Sequence, residues 1–400
     1  MERYDILIIG AGPAGNRAAF NLASLGYKVA VIERQAQIGH KLSCTGIIGR
    51  ECFELFDIDH DCVLQEARSA KLFAPSGEFI RVNLDETQAY ILDRPSLDRS
   101  LAKKAREAGA KYLLSSQVND LFVSAGGVEL AVNEQGNTIN LTGKVAIIAS
   151  GFATTLSQKL GTGKIKYSIT GAQTEIESRG IEETEVYFSD KTAPGFFAWL
   201  VPISDHRARA GLFASQKPGQ YLQAFLKHLA SEGKIADTKC KIAYGGIPLK
   251  PLPKTYGERV LVVGDAAGQI KPTTGGGIYY GLICADFAAE AIHQAFQRND
   301  FSAKQLSLYE KLWKAKLGKE LKIDYSARKL YNRLSDKRIN SIFNIVRDNH
   351  IHEDLLNSSY RSFDWHGELV LDGLKRLTPW WQIFGHYLPS YILKSLRSKA

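Results

Sequence analysis

Tyr4-Asp-Ile-Leu-Ile-Ile-Gly10-Ala-Gly12-Pro-Ala14-Gly15 reads as a buried strand that turns on three glycines into a helix. Apart from Asp5 and Tyr4, residues 4–9 are branched or long aliphatics, as a strand covered on both faces of a parallel sheet requires. Residues 13–26 continue as an Ala- and Leu-rich helix closed by Gly26. Residues 28–33 form the next strand and end in Glu33, 18 positions after Gly15. Strand, glycine turn, helix, strand and terminal acid together make a complete dinucleotide-binding pattern. Gly10 makes the tight turn. Gly12 lets the backbone approach a pyrophosphate, and Gly15 lets the helix lie close to the strand. The helix start, Ala14 included, offers free N–H groups and a partial positive charge to phosphates. Glu33 accepts hydrogen bonds from ribose hydroxyls and disfavours a 2′-phosphate. Arg34, beside it, is counted among the cofactor contacts.

Two distant segments specify which dinucleotide. Arg94-Pro-Ser-Leu-Asp98 opens a second helix running to Gly109. Gly264-Asp265-Ala-Ala-Gly268 follows a short buried strand, and Pro272-Thr-Thr-Gly275-Gly276-Gly277 follows that. An acid at a strand end accepts protons from a ribityl chain. A glycine-rich turn into a helix places N–H donors beside the edge of a flavin ring that becomes negative on reduction. NAD has no ribityl chain and leaves the second block unexplained, so FAD is the expected cofactor. Arg94, Asp265, Gly275, Gly276 and Gly277 join its binding set.

The predicted fold class is α/β: a Rossmann-type FAD-binding domain, an inserted antiparallel-sheet substrate domain and a C-terminal helical region. Residues 71–84, 117–141, 165–178 and 199–213 alternate in polarity as antiparallel strands do. From residue 278 onward the pattern is mostly helical. The expected division is residues 1–70, 95–160 and 255–300 for FAD, 71–94 and 161–254 for substrate, and 301–400 for the helical region.

The 400 residues carry a net charge of +9, unevenly distributed. Residues 301–400 hold 18 Lys and Arg against 10 Asp and Glu, which is +8. Such a basic quarter suits an anionic partner or is a solvated helical face. Nucleic acid is not expected, since no recognised binding module accompanies the charge. Five cysteines form no C-x-x-C pair, and the odd count points to a reducing compartment. Residues 1–9 lack a signal peptide's basic start and long apolar run. No stretch reaches the roughly 18 apolar residues of a spanning helix. A cytoplasmic location is expected. The nine histidines offer no metal-ligand pair at helical spacing, so no metal is predicted.

These motifs resemble those of the geranylgeranyl reductase family, FAD enzymes on a para-hydroxybenzoate hydroxylase-like fold, over roughly residues 4–290. Three features are closer to that family than to flavoproteins at large. Ser43-Cys44-Thr-Gly46 stands where the family has a Cys-containing turn near the flavin. Lys71-Leu-Phe-Ala-Pro-Ser-Gly77 resembles its β-hairpin. Pro194-Gly-Phe-Phe197-Ala-Trp199-Leu-Val-Pro202 resembles its P-x-x-Y-x-W-x-F-P stretch, with Phe197 in place of Tyr and Val201 in place of Phe.

The resemblance implies reduction of isolated double bonds in an isoprenoid chain on a lipid or pigment. Such alkenes are unpolarised, so a proton must arrive with or before hydride. Phe197, Trp199 and Tyr279 are the expected substrate-pocket residues, against the alternative that each is ordinary core. Cys44 is the catalytic candidate, against the alternative of a small buried hydrophobe. The reductant is left open between NAD(P)H and ferredoxin, the latter an electron-donor protein. Rival readings are a flavin-dependent monooxygenase or halogenase, with Lys71 as its catalytic amine, and a non-redox carotenoid cyclase. Finally, residues 376–400 combine Trp, Tyr and Phe with Lys394, Arg397 and Lys399. They suit peripheral contact with an anionic membrane, against the alternative that Trp380, Trp381 and Phe384 pack as core.

Overall fold

The computed structural model describes residues 3–40, 44–152, 155–159, 161–358 and 362–383. The chain divides into two compact units, each assembled from three segments. The first comprises Met1–Lys41, Arg94–Ser168 and Ile247–Lys319; the second comprises Leu42–Asp93, Ile169–Gly246 and Glu320–Ala400.

In the first unit, Ile6–Ile9 lies between Val29–Ile32 on one side and Val145–Ile148 on the other, all parallel and in register. Lys111–Leu113 extends the sheet beyond Val29–Ile32, and Val260–Val262 extends it beyond Val145–Ile148. Tyr256–Gly257 closes that edge antiparallel. The three central strands are buried at every position, which is why they read as unbroken apolar runs. One side of the sheet packs through Leu7, Ile9, Ala30, Ile32, Ala146 and Ile148 onto Leu121, Val128, Leu130, Val132 and Leu141 of a three-stranded antiparallel sheet. The helices Pro13–Ser24, Arg94–Glu107 and Ile278–Arg298 are also part of this unit. Chain order reverses about Ile6–Ile9, and ligands of open α/β sheets bind at the carboxyl ends of strands at such a point.

The second unit is built on a seven-stranded sheet. Its order is Ala243–Pro248, Ser168–Glu177, Arg207–Ala214, Ala198–Ser204, Thr184–Tyr187, Ser69–Phe73, Phe79–Asn83. Leu222, Phe225, Leu226 and Leu229 of helix Pro218–Ser231 pack on Ala172, Ala198, Ala208, Ala210, Leu212 and Ala214, where small residues let the helix come close.

The unit boundary falls at Lys41/Leu42, whereas the sequence pattern predicts one at residue 70. The reason is pairing: Ile47–Gly49 and Val63–Ala67 both hydrogen-bond to Ala89–Leu92, so residues 42–70 fold with the strand that follows them. Likewise the basic C-terminal quarter is not separate. Residues 301–319 belong to the first unit and those from Glu320 to the second.

Candidate functional site

The glycine turn of the first unit is held by contacts that admit no side chain. Gly10 has φ +104°, and a Cβ there would lie 2.5 Å from the Ala149 carbonyl oxygen. A Cβ on Gly15 would lie 2.0 Å from the Gly10 carbonyl oxygen. Gly12 differs: nothing lies within 4 Å of its Cβ position, so the loop is open there. No side chain caps helix Pro13–Ser24 at Gly12, and its first turn holds no acid. These open N–H groups and this cradle fit a pyrophosphate. Glu33 accepts from Ala11 N–H and Gln35 N–H, both at 2.9 Å, which fixes its carboxylate beside the loop. Two of its roughly four lone-pair sites remain for ribose hydroxyls. Arg34 is exposed.

Sequence reasoning missed Asn16. Its buried amide donates to Ala11 O at 3.0 Å and Asp98 O at 3.1 Å, and accepts from the Tyr112 hydroxyl at 2.8 Å. One side chain thus ties the glycine loop to the helix and strand on either side. Burial pushes the Tyr112 phenol well above its ordinary range, so it stays a donor. The available signal was a polar residue on an otherwise Ala-rich helical face. Arg94 is buried and pairs with Asp98 at 2.7 Å within the first turn of its helix.

At the same sheet end of this unit, Val260–Val262 runs into the turn at Gly264, with φ +69°. Buried Gln269 fixes the turn, accepting from Gly264 N–H at 2.8 Å and donating to Tyr309 at 2.7 Å; sequence reasoning missed it too. Asp265 is half-buried. A Cβ on Gly277 would lie 2.5 Å from its Oδ1, so only glycine lets that carboxylate sit at the start of helix Ile278–Arg298. No side chain caps this helix, and its first turn holds no acid. Gly275 N–H bonds to Lys271 O at 2.8 Å, and Lys271 N–H to Gly276 O at 3.0 Å, which shapes the loop before it. The Cβ positions of Gly264 and Gly281 lie 3.1 and 3.4 Å from the Ala14 Cβ. The two glycine blocks, some 250 positions apart, therefore meet through their smallest residues. Two helix N-termini, each free of side-chain caps, serve one sheet end. That arrangement fits a long diphosphate ligand.

In the second unit, the sheet face opposite helix Pro218–Ser231 carries aromatics. Gln173, Gly211 and Trp199 are lateral neighbours in one row. The Trp199 indole leans over Gly211, whose Cβ would meet it at 2.4 Å. Phe213 lies over Gly171 in the same way. Ring centroids of Trp199 and Phe213 are 5.0 Å apart, and those of Phe197 and Trp199 6.1 Å. The turn at residues 44–46 is pinned to this face. Thr45 donates to Gln173 Oε1 at 2.9 Å. Arg209, 4% exposed, donates to Thr45 O at 2.8 Å, to Leu92 O at 2.9 Å and to Glu175 at 3.0 Å. Half-buried Cys44 thus stands next to an anchored residue on the face that bears Phe197 and Trp199. Tyr279, buried on helix Ile278–Arg298, belongs to the first unit. Lys71 is paired with Glu183 at 3.2 Å and lies over the Phe79 ring. The last described turn, Thr378–Ile383, brings Trp380 onto the cluster of Leu330, Ile351 and Leu377. Residues 384–400, Phe384 included, lie outside the described residues, as does the Trp381 side chain.

The fold is that of FAD-type flavoenzymes. A solved geranylgeranyl bacteriochlorophyll reductase-like protein from Thermoplasma acidophilum superposes with a TM-score of 0.83, at 23% identity, over 96% of this chain and all of that one. A probable FAD-dependent monooxygenase from Pseudomonas aeruginosa superposes at 0.65, with 17% identity, over 86% of this chain and all of that one. In sequence, the digeranylgeranylglycerophospholipid reductase of Methanocaldococcus jannaschii is 31% identical over 352 residues, 85% of this chain and 89% of that protein. A family model described as lycopene cyclase protein matches residues 5–348. The chain belongs to the geranylgeranyl reductase family. It is an FAD-dependent oxidoreductase.

Proposed function

We propose that this chain saturates isolated double bonds of geranylgeranyl-type chains carried on a lipid. The observation that carries the reading is the pinned Cys44–Thr45 turn on the aromatic sheet face, in a chain 31% identical to a digeranylgeranylglycerophospholipid reductase.

FAD, when bound and reduced, supplies hydride from its ring N5. The residues of the first unit hold it: the N–H groups of the Gly12–Gly15 turn take the pyrophosphate, Glu33 the adenosine ribose and Asp265 the ribityl chain. The Gly275–Gly277 loop and the helix start behind it stabilise negative charge on the ring edge. The aromatic face supplied by Phe197 and Trp199 takes the prenyl chain, excludes water and attracts the positive charge that develops on a tertiary carbon. Cys44 is the polar group that positions the reacting bond or passes it a proton.

The test is anaerobic incubation of the holoenzyme with digeranylgeranylglycerol phospholipid and dithionite, read by mass spectrometry. A gain of two mass units per bond is expected. Unchanged mass with an altered ring count would favour the cyclase reading that the family model suggests. The halogenase reading loses its amine, since the Lys71 ammonium is matched by Glu183. Repeating the assay with NADPH and with reduced ferredoxin separates the two donors. No described helix is long and apolar enough to cross a membrane. We assign residues 376–400 to the surface of an anionic bilayer through Lys394, Arg397 and Lys399; Arg376 is already matched by Asp354 and Asp372. Salt-sensitive cosedimentation with anionic vesicles is the expected result, and protein left in the supernatant at low salt ends that assignment.

A further inference from the structure

The second unit buries a cation for which its described residues provide no anion. Arg328, near the end of helix Ala303–Tyr331, is 6% exposed. Its guanidinium carbon sits 3.7 Å above the centre of the fully buried Phe196 ring. Its Nε is sealed from solvent with no hydrogen-bond acceptor. Among the described residues no ion pair joins it to a carboxylate, Asp324 one turn earlier included; the neighbouring Tyr331 phenol is kept protonated and neutral by its own burial. Desolvation lowers the Arg328 pKa to about 9, the direction expected of a buried cation without a partner.

The Tyr331 hydroxyl occupies the Phe196 carbonyl at 2.7 Å. Trp199 Nε1 is also buried without an acceptor. It is linked to Arg328 through the edge-to-face rings of Phe213 and Phe196, whose centroids are 4.7 Å apart. This aromatic cluster thus carries two buried N–H donors, Trp199 Nε1 and Arg328 Nε, that no acceptor answers. A guanidinium backed by a ring presents its planar fork edge-on, the geometry that matches phosphate oxygens.

We propose that Arg328 is an anion subsite on this aromatic face and takes a phosphate group of the ligand. It rests on the reading of the chain as a prenyl-lipid reductase only for the source of that phosphate, a lipid head or free inorganic phosphate. Arg328 is then a specificity-determining residue that separates phosphate-bearing prenyl lipids from neutral ones.

The test compares the parent holoenzyme with Arg328→Gln and Arg328→Lys, each first checked for retained flavin absorbance and circular dichroism. The reading is kcat/KM for digeranylgeranylglycerol phospholipid divided by that for neutral digeranylgeranylglycerol. In Arg328→Gln this ratio should fall roughly 10- to 100-fold, the loss of a charge-assisted hydrogen bond, and Arg328→Lys should restore part of it. Inorganic phosphate should raise the melting temperature of the parent and not that of Arg328→Gln. A fall in the ratio identifies the lipid head as the source. An unchanged ratio with loss of phosphate stabilisation identifies free phosphate. Equal losses on both lipids, with phosphate stabilising parent and variants alike, would overturn the subsite and make Arg328 a packing residue. Should the parent reduce neither lipid, the function proposed above fails, and the phosphate melting arm still decides Arg328.

Discussion

In the first unit, the groups assigned to the cofactor sit in short runs: Gly10 to Gly15, and Asp265 to Gly277. Backbone geometry places them: a Cβ on Gly10, Gly15, Gly268 or Gly277 would begin 2.0 to 2.5 Å from a carbonyl or carboxylate oxygen. In the second unit, the turn at Cys44 is held by Gln173, 128 positions away, and by Arg209, 164 positions away. Side-chain donors and acceptors place that turn, and its own backbone contributes Gly46 at φ +78°. A site made of backbone tolerates little substitution and is written locally. A site made of side chains is tunable and is written across the chain. That contrast suits an enzyme whose cofactor is constant and whose substrate varies.

The largest expected effect tests the backbone half. Gly15→Ala forces a Cβ into the Gly10 carbonyl, so the helix must leave the strand. We expect colourless protein, destabilised by about 3 kcal/mol, read by flavin content and chemical denaturation. Gly12→Ala is the sharper control, because its Cβ meets nothing in the protein. It should fold with parental stability and still retain FAD poorly. Equal flavin content in Gly12→Ala and parent would mean that the pyrophosphate does not lie over this loop.

Next is Arg209→Met, which probes the side-chain half. It leaves the Thr45 and Leu92 carbonyls without this donor and takes from Glu175 one of its two arginine partners, Arg207 remaining. Breaking a buried charged network costs ~3 kcal/mol; Glu175 keeps some solvent access, so about 2 kcal/mol is expected here. FAD should stay bound while turnover drops. If flavin is lost along with turnover, the separation of the two halves is wrong.

Asp265→Ala comes third. Removing an acceptor of ribityl hydroxyls should weaken FAD roughly 10- to 100-fold with little change in fold stability. Gly277→Ala should act in the same direction, since its Cβ would displace the Asp265 carboxylate. Equilibrium dialysis of reconstituted protein measures both. Parental affinity in both variants would remove Asp265 from the binding set.

The same contrast decides which features are legible in the amino-acid sequence. The strands at 6–9, 29–32, 145–148 and 260–262 are legible because a parallel sheet buried on both faces needs apolar runs. The glycine blocks are legible because their spacing between a strand and a helix is itself a local pattern. Asn16, Gln269, Arg209 and Gln173 are not, although all are buried and polar. Nothing in the local pattern distinguishes Arg209 from the exposed Arg207 two positions before it; burial and partners arrive only with strand register. The unit boundary at residue 42 is hidden for the same reason, since it depends on Ala89–Leu92 serving two strands at once.

The smallest expected effect is the most discriminating. Thr45 and Gln173 share one hydrogen bond at 2.9 Å between a turn and a strand. Thr45→Val leaves the Gln173 carbonyl oxygen, on a 5% exposed residue, without its donor, and Gln173→Leu leaves the threonine hydroxyl unanswered. Each single change should cost about 1 kcal/mol, because an unmet buried group costs more than a met one contributes. The double variant replaces both partners with apolar groups and should cost less than the sum of the singles. The coupling in such a cycle should be about 0.5–1.5 kcal/mol by denaturation. Turnover should not follow the same arithmetic. If the bond serves mainly to hold Cys44 at the reacting alkene, the double variant recovers stability but not the parental pattern of reduced bonds, and it should resemble Cys44→Ala in that pattern. If the double variant regains both, the turn needs only to be packed in place. Cys44 would then be a buried neighbour of the substrate, without a chemical role.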